Sequence, residues 1–212
     1  MNFVIFGAGG HGKVILDILK RNNIEITGFL DDDKSKANTE FQNYPILGGV
    51  QYCGSEESIL GDKFQGIVAL GDNKKREKVL TKLLKFGMVP FNAFHPAATI
   101  ADDVTFSKGN AVMAGVVINS GSKIGNNTII NTACSIDHDN TLEDHVQVCP
   151  GAHLAGEVTV QTYAFIGTGA IVNPGITIGF NSIIGSGAVI IKDVPDNVIV
   201  AGNPSKIIKK IV

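Results

Sequence analysis

The chain has 212 residues, 18% of them charged, and a formal net charge of −2. At about 150 residues per domain, this length allows one large domain or two small ones, and the charge excludes the basic surface typical of proteins that bind nucleic acid or anionic lipid. Three cysteines without a CxxC pair, and no long apolar run, argue against a disulfide framework, a cysteine zinc site and a membrane span. We expect a cytoplasmic protein that binds neither nucleic acid nor membrane.

The first predicted elements are a strand over residues 2–6, a helix over residues 12–22 and a second strand over residues 24–30. Residues 7–12 read GAGGHG, which matches GxGxxG in the strand-to-helix context of a phosphate-binding loop. Two acidic residues end the second strand, near the spacing at which an acid contacts a ribose hydroxyl. The candidate nucleotide-binding residues are Gly9, Gly10, His11, Asp31 and Asp32.

A further strand over residues 66–70 and a charged amphipathic helix ending at Lys85 complete this pattern. Alternating strands and helices predict a small parallel, Rossmann-like βαβ sheet. We place the domain boundary near His95-Pro96, which gives domains of residues 1–95 and 96–212. The first is too short for both halves of a dinucleotide fold, which favours one nucleoside diphosphate. A redox dinucleotide, or a tight turn without a ligand, remains an alternative.

After residue 95, a large apolar side chain recurs at every sixth position. The residues in this column are Ile100, Phe106, Val112, Ile118, Ile124, Ile130, Ile136, Leu142, Val148, Leu154, Val160, Ile166, Val172, Ile178, Ile184 and Ile190. A second column, four residues later, holds nothing larger than isoleucine. This period does not fit an α-helix but suits a short strand followed by a turn. Residues 100–195 therefore predict about five coils of a triangular parallel β-helix, followed by a short C-terminal tail.

His138 has an acidic residue on each side and projects outward from the predicted β-helix. Asp137 or Asp139 could hold the imidazole in one tautomer and raise its basicity, as a general base requires. A solvated turn histidine is the alternative. The histidines at 138, 145 and 153 leave the repeat in different directions, so we expect no metal site. Cys134 is predicted to be a core residue.

Seven short motifs in this order resemble the bacterial left-handed β-helix sugar acyltransferases, in particular the bacillosamine-type nucleotide-sugar N-acetyltransferases and their relatives, the sialic acid O-acetyltransferases. The resemblance covers essentially the whole chain. The motifs are GAGGHGKV at 7–14, FLDD at 29–32, GDN at 71–73, FHP at 94–96, IDHD at 136–139, PGAHLAG at 150–156 and AGNP at 201–204.

The resemblance implies a left-handed β-helix and a homotrimer with active sites between subunits. Acetyl-CoA would lie in the cleft between β-helices as co-substrate, and domain 1–95 would hold the nucleotide of the acceptor. His138 matches the catalytic histidine, and Asp139 stands where relatives often carry glutamate. Gly156 matches the residue whose N–H faces the thioester oxygen, and Asn131 matches an acceptor-side asparagine. Gln147 stands where many relatives have a second histidine.

The function that this resemblance implies is acetyl transfer from acetyl-CoA to the amine of a UDP- or dTDP-linked 4-amino-4,6-dideoxy sugar. His138 would act as general base during direct attack of the amine on the thioester. An O-acetyltransferase that acts on sialic acid or another sugar hydroxyl is the nearest alternative. A non-catalytic trimeric scaffold that binds a nucleotide is a more distant one.

Overall fold

The computed structural model describes residues 1–211. They divide into two compact units, with the boundary between His95 and Pro96. No helix among these residues has the length and apolar character needed to cross a bilayer.

The first unit is an α/β sandwich built on one largely parallel sheet. Its elements are β1 (Phe3–Phe6), α1 (Gly10–Arg21), β2 (Gly28–Leu30), β3 (Glu40–Phe41), β4 (Tyr44–Gly48), β5 (Phe64–Val68), α2 (Asn73–Lys85), β6 (Met88–Pro90) and β7 (Ala93–Phe94), with 3₁₀ turns at Lys34–Lys36 and Val50–Gly54. The sheet order is β3-β4-β2-β1-β5-β6, and only β3 runs antiparallel to its neighbour. β1 lies between β2 and β5, so its carboxyl end meets theirs at one edge of the sheet.

Several boundaries in this unit differ from the predicted ones. The second strand begins at Gly28 rather than at residue 24, because Asn23 turns at φ 57° and Ile24 N–H closes the end of α1 on Leu19 O at 2.9 Å. Helix α1 begins two residues earlier than predicted, inside the glycine motif. The hairpin β3–β4 and strand β6 were not predicted. β3 and β6 have two and three residues, too few to show a periodicity, and the five-residue β4 contains Pro45, which is uncommon inside a strand.

The second unit is a parallel β-helix made of two-residue strands. They are β8 (Thr99–Ile100), β9 (Thr105–Phe106), β10 (Ala111–Val112), β11 (Val117–Ile118), β12 (Lys123–Ile124), β13 (Ile129–Ile130), β14 (Ser135–Ile136), β15 (Thr141–Leu142), β16 (Gln147–Val148), β17 (His153–Leu154), β18 (Thr159–Val160), β19 (Phe165–Ile166), β20 (Ile171–Val172), β21 (Thr177–Ile178), β22 (Ile183–Ile184) and β23 (Val189–Ile190). A terminal hairpin follows, β24 (Val198–Ala201) and β25 (Lys206–Lys210).

Every third strand of this unit stacks on the same face. One face has the order β8-β11-β14-β17-β20-β23 and another the order β9-β12-β15-β18-β21. From β8 to β23, paired residues are eighteen positions apart, as Ile118 and Ile136 are, and the last coil shortens this spacing to sixteen, as between Ile184 and Val200. The predicted β-helix and its period are confirmed.

The large apolar column fills the interior of the β-helix. Val112, Ile136, Val160 and Ile184 are fully buried. The second column includes buried polar residues, of which Asn110 and Asn140 bond to the backbone of the surrounding turns. Such bonds offset the desolvation of the buried amides. Thus the interior asparagines tie one coil to the next without enlarging the core.

Candidate functional site

The turn between β14 and β15 carries His138 and is held from several sides. The Oδ1 atom of Asp137 accepts a hydrogen bond from His138 N–H at 2.9 Å and one from Asn119 Nδ2 at 2.8 Å. From the interior, Asn140 Nδ2 donates to the carbonyls of Asp137 at 2.8 Å and Ala155 at 2.9 Å. The backbone on both sides of the imidazole is therefore fixed, and the turn of the next coil is attached to it.

The imidazole of His138 is held by the next residue in the chain. His138 Nδ1 lies 2.9 Å from Asp139 Oδ2, so the aspartate side chain is long enough to reach the ring. This hydrogen bond, with smaller contributions from the charges of Asp137, Asp139 and Glu157, raises the pKa of His138. The side chain is 55% exposed. Of the two acids considered from the sequence, Asp139 contacts the ring and Asp137 contacts the backbone.

Gly156 lies directly against the free edge of the imidazole. A Cβ atom at this position would stand 2.5 Å from both Nε2 and Cε1 of His138, closer than real Cβ contacts allow. Among the described residues, the Gly156 N–H donates no hydrogen bond, whereas the neighbouring N–H groups of Ala155 and Glu157 donate to Val172 O and His138 O. The site thus combines a free imidazole nitrogen with a free backbone donor beside it.

Two further residues of this site were not identified from the sequence. A Cβ atom at Gly121 would collide with Asp139 Oδ1, so this glycine makes room for the carboxylate. Asn140 belongs to the second column of the repeat and is fully buried. A polar residue in a column of mostly small apolar ones was the sequence signal that could have identified it. A groove of about 280 Å³ lies beside the turn, lined in part by Asn119, Asp137 and His153.

Asn131 and Gln147 lie away from His138 in the same chain. Asn131 follows β13, at a different corner of the prism, and its Oδ1 accepts a hydrogen bond from Thr132 N–H at 2.8 Å. Gln147 in β16 is 8% exposed, and its Nε2 contacts Cys149 Sγ at 3.6 Å. One chain therefore does not bring these two side chains to the imidazole.

The other two histidines of the repeat have separate surroundings. His145 Nδ1 contacts Asn127 Nδ2 at 3.0 Å, and its ring stacks on Tyr163. His153 Nδ1 contacts Ser135 Oγ at 2.8 Å. Residues 1–211 contain no group of three His, Cys, Asp or Glu side chains that could hold a metal ion. Cys134 is buried, and desolvation raises its pKa to about 12, so its thiol stays protonated.

The glycine loop of the first unit has a conformation that leaves one side open. Gly7 has φ +112°, and a Cβ there would stand 2.7 Å from Ala69 O. A Cβ at Gly9 or Gly10 would instead meet no atom within 4 Å. Gly9 is the N-cap of α1, and no side chain caps this helix. The start of α1 is thus uncapped and lies beside an open space, and uncapped helix N-termini bind phosphate in other proteins.

The two acids at the end of β2 bond to the protein around this loop. Asp31 Oδ2 accepts a hydrogen bond from Ala8 N–H at 3.0 Å and lies 2.9 Å from Lys36 Nζ. Asp32 Oδ1 accepts one from Val50 N–H at 2.8 Å. Both carboxylates brace the backbone near the loop, and contact with a ribose stays a prediction. Lys36 was not identified from the sequence.

His11 lies in the first turn of α1 and is largely buried. Its Nε2 has no hydrogen-bond partner among the described residues. Burial, aided by the charge of Arg76, lowers the pKa of His11 to about 4, so the ring is neutral at physiological pH. Arg76 is itself buried and donates to Leu70 O at 3.0 Å and to Asn73 Oδ1 at 2.9 Å. The hydrogen bond from Arg76 explains the asparagine of the GDN motif at 71–73.

Comparisons with known proteins identify the family to which this chain belongs. Residues 2–83 match the model of the PglD N-terminal domain. Over 97% of its length, the chain is 30% identical to GDP-perosamine N-acetyltransferase of Escherichia coli O157:H7, of which it covers 96%. The chain belongs to the bacterial hexapeptide-repeat sugar acetyltransferase family.

Solved structures of this acetyltransferase family are similar along the whole chain. A histidine-to-asparagine variant of perosamine N-acetyltransferase from Caulobacter crescentus, in complex with CoA and GDP-perosamine, superposes with a TM-score of 0.92 at 37% identity, covering 99% of this chain and 98% of that one. The acetyltransferase domain of PglB from Neisseria gonorrhoeae, in complex with acetyl coenzyme A, gives a TM-score of 0.88 at 32% identity, covering 98% of both chains.

Membership in the acetyltransferase family confirms the left-handed β-helix and the prediction of an acyltransferase. It does not confirm a UDP- or dTDP-linked substrate. The sugar nucleotide named for the Caulobacter enzyme is GDP-perosamine.

Proposed function

We propose that this protein transfers an acetyl group from acetyl-CoA to the amine of a nucleotide-linked amino sugar. The observation that carries the proposal is the joint placement of the His138 imidazole, the Asp139 carboxylate and the free Gly156 N–H. Two observations on relatives support the substrate class. The Escherichia coli relative is named for N-acetyl transfer, and the structure of the Caulobacter relative holds CoA and GDP-perosamine. We take a GDP-linked sugar as the first candidate and UDP- and dTDP-linked sugars as the next.

In this mechanism His138 is the general base. With its Nδ1–H donated to Asp139, the Nε2 lone pair is free to accept a proton. The sugar amine attacks the thioester carbon, a C–N bond forms, and Nε2 takes the proton of the amine. The Gly156 N–H donates to the oxyanion of the tetrahedral intermediate. The C–S bond then breaks, and the imidazolium returns the proton to the sulfur of CoA, so no covalent enzyme intermediate is needed.

The nucleotide would bind at the glycine loop of the first unit. The open space over Gly9 and Gly10, together with the uncapped N-terminus of α1, suits a diphosphate. His11 is neutral, and its Nε2 is buried without a hydrogen-bond partner among the described residues, so its contact with the nucleotide stays a prediction.

We further propose a homotrimer in which neighbouring subunits complete each site. Asn131 and His138 occupy different corners of one prism. A role for both at the same substrate therefore requires two chains. Sedimentation would show a threefold mass, and a monomer that is fully active would contradict this assembly.

The test is acetyl transfer from acetyl-CoA to a panel of GDP-, UDP- and dTDP-linked 4-amino-4,6-dideoxyhexoses, followed as release of free thiol. We expect turnover with at least one of them. His138→Ala should leave the fold intact and lower kcat by about 10² to 10⁴, the usual contribution of a general base. Turnover only with sugar hydroxyls would favour O-acetylation, and nucleotide binding without any thiol release would favour the scaffold. Wild-type turnover in His138→Ala would remove His138 from the mechanism.

A further inference from the structure

The ion pair between Asp31 and Lys36 binds the backbone of Ala8 in the glycine loop. Asp31 Oδ2 accepts a hydrogen bond from Ala8 N–H at 3.0 Å, and Lys36 Nζ donates to Ala8 O at 3.2 Å. Lys36 Nζ and Asp31 Oδ2 are 2.9 Å apart. Both polar groups of the Ala8 backbone are therefore held by this pair, directly before Gly9 at the start of α1.

A short turn brings Lys36 back to the loop. Asp31 Oδ1 accepts a hydrogen bond from Asp33 N–H at 3.0 Å. Asp33 in turn caps the 3₁₀ turn Lys34–Lys36, with Ser35 N–H at 3.0 Å and Ser35 Oγ at 2.7 Å from its Oδ1. These hydrogen bonds stabilise a tight turn. The turn brings the amine of Lys36 to the carboxylate of Asp31, five residues earlier in the chain.

Lys36 makes the charges around the loop more favourable to an anion. The N-terminus of α1 carries a partial positive charge, and its first turn holds no acidic residue. The Asp31 carboxylate beside Ala8 would by itself repel a phosphate. Lys36 neutralises this carboxylate. Its ammonium has three N–H donors, of which Ala8 O and Asp31 take two, and its side chain is 38% exposed.

We propose that Lys36 binds the diphosphate of the nucleotide sugar, donating its third N–H to a phosphate oxygen while it positions the glycine loop through Ala8. The inference rests on the proposed function, because it specifies how that nucleotide site recognises its ligand. In this arrangement Asp31 holds both Lys36 and the glycine loop in place. The site then presents a cation, a helix N-terminus and an open backbone to the same anion.

The test measures the affinity of the full-length protein for GDP, UDP and dTDP by calorimetry. Lys36→Gln keeps a donor for Ala8 O but removes the charge, and we expect it to raise Kd at least about tenfold for the diphosphate that the wild type binds best. Lys36→Arg keeps the charge and should stay within about threefold. Lys34→Gln is the matched control, since it removes the same charge from the same short turn at an exposed position, and should change Kd by less than about twofold.

A double variant separates the charge of Lys36 from a structural role. Asp31→Asn combined with Lys36→Gln removes the unpaired carboxylate, so the diphosphate should bind more tightly than to Lys36→Gln alone. An unchanged Kd in Lys36→Gln, or an equal loss in Lys34→Gln, overturns the inference. If Lys36→Gln fails to fold, a loss of affinity in Lys36→Arg as large as tenfold also overturns it. A wild-type protein that binds none of the three diphosphates contradicts the proposed nucleotide site instead.

Discussion

Gly156 in the β-helix and Gly9 and Gly10 in the first unit serve opposite purposes. In the β-helix, Gly156 makes room for a side chain of the protein, because any Cβ there would enter the space of the His138 ring. In the first unit, a Cβ added to Gly9 or Gly10 would enter open space, with no protein atom within 4 Å of it. Glycine in the β-helix therefore leaves room for the catalytic side chain of His138, whereas glycine in the loop leaves the backbone accessible to a nucleotide. Variants in the two units should accordingly separate turnover from nucleotide affinity.

The largest effect is expected for Gly156→Ala. The added methyl group must displace the imidazole, and a shift of about 1 Å can cost about 10² in rate. We expect kcat to fall by about that factor while the Kd for the nucleoside diphosphate stays within about twofold, measured by thiol release and by calorimetry. Gly187→Ala is the control in the same β-helix. A Cβ there meets no atom within 4 Å, and although the φ of +68° makes the substitution locally strained and lowers stability, the variant should keep its kcat. Loss of nucleotide affinity in Gly156→Ala would contradict this division between the units.

A smaller effect is expected for Asp139→Asn, with a change in pH dependence. His138 must be neutral to accept a proton, so kcat/KM should rise with pH through its pKa, which the Asp139 hydrogen bond holds above the ordinary 6.5. Removing the carboxylate lowers that pKa, so the acid limb of the profile should move to lower pH. At high pH, kcat/KM should fall about tenfold. This is less than the loss when the aspartate of a buried Ser-His-Asp triad is replaced, because the pair of His138 and Asp139 is exposed.

Asp137→Asn serves as the comparison for Asp139→Asn. Its carboxylate contacts the His138 backbone, and its charge contributes less to the raised pKa of the imidazole. The acid limb should therefore move less than in Asp139→Asn. An equal or larger displacement would assign the orienting role to Asp137.

The smallest effect is expected for Gly10→Ala in the first unit. A methyl group at the mouth of the loop should hinder the approach of a phosphate and raise the Kd for the nucleoside diphosphate by about fivefold, or about 1 kcal/mol. Because alanine favours the helix, the free energy of unfolding should rise by up to about 1 kcal/mol. Calorimetry and thermal denaturation measure the two quantities. Weaker binding together with lower stability would show that the glycine serves the fold rather than the ligand.

The sequence predicted the second unit far better than the first. In the β-helix, each coil repeats the same strand and turn, so one column of apolar residues was enough to place the strands on three faces. In the first unit, the hairpin β3–β4 and the true start of β2 depend on contacts such as that between Ile24 N–H and Leu19 O, which have no periodic signal. Lys36 was missed for the same reason, since a lysine in a polar turn has no distinguishing pattern in the sequence.

The sequence by itself determined the period of six, the strand-to-helix glycine motif and the acidic neighbours of His138. Local chemistry decides these features, because side-chain size and backbone freedom act within a few residues. Only the tertiary structure decided that Asp139 rather than Asp137 holds the imidazole, that Gly156 of the next coil lies against it, and that Lys36 returns to Ala8. Such contacts join residues whose distance depends on how the turns stack, and no single segment of the chain contains that information.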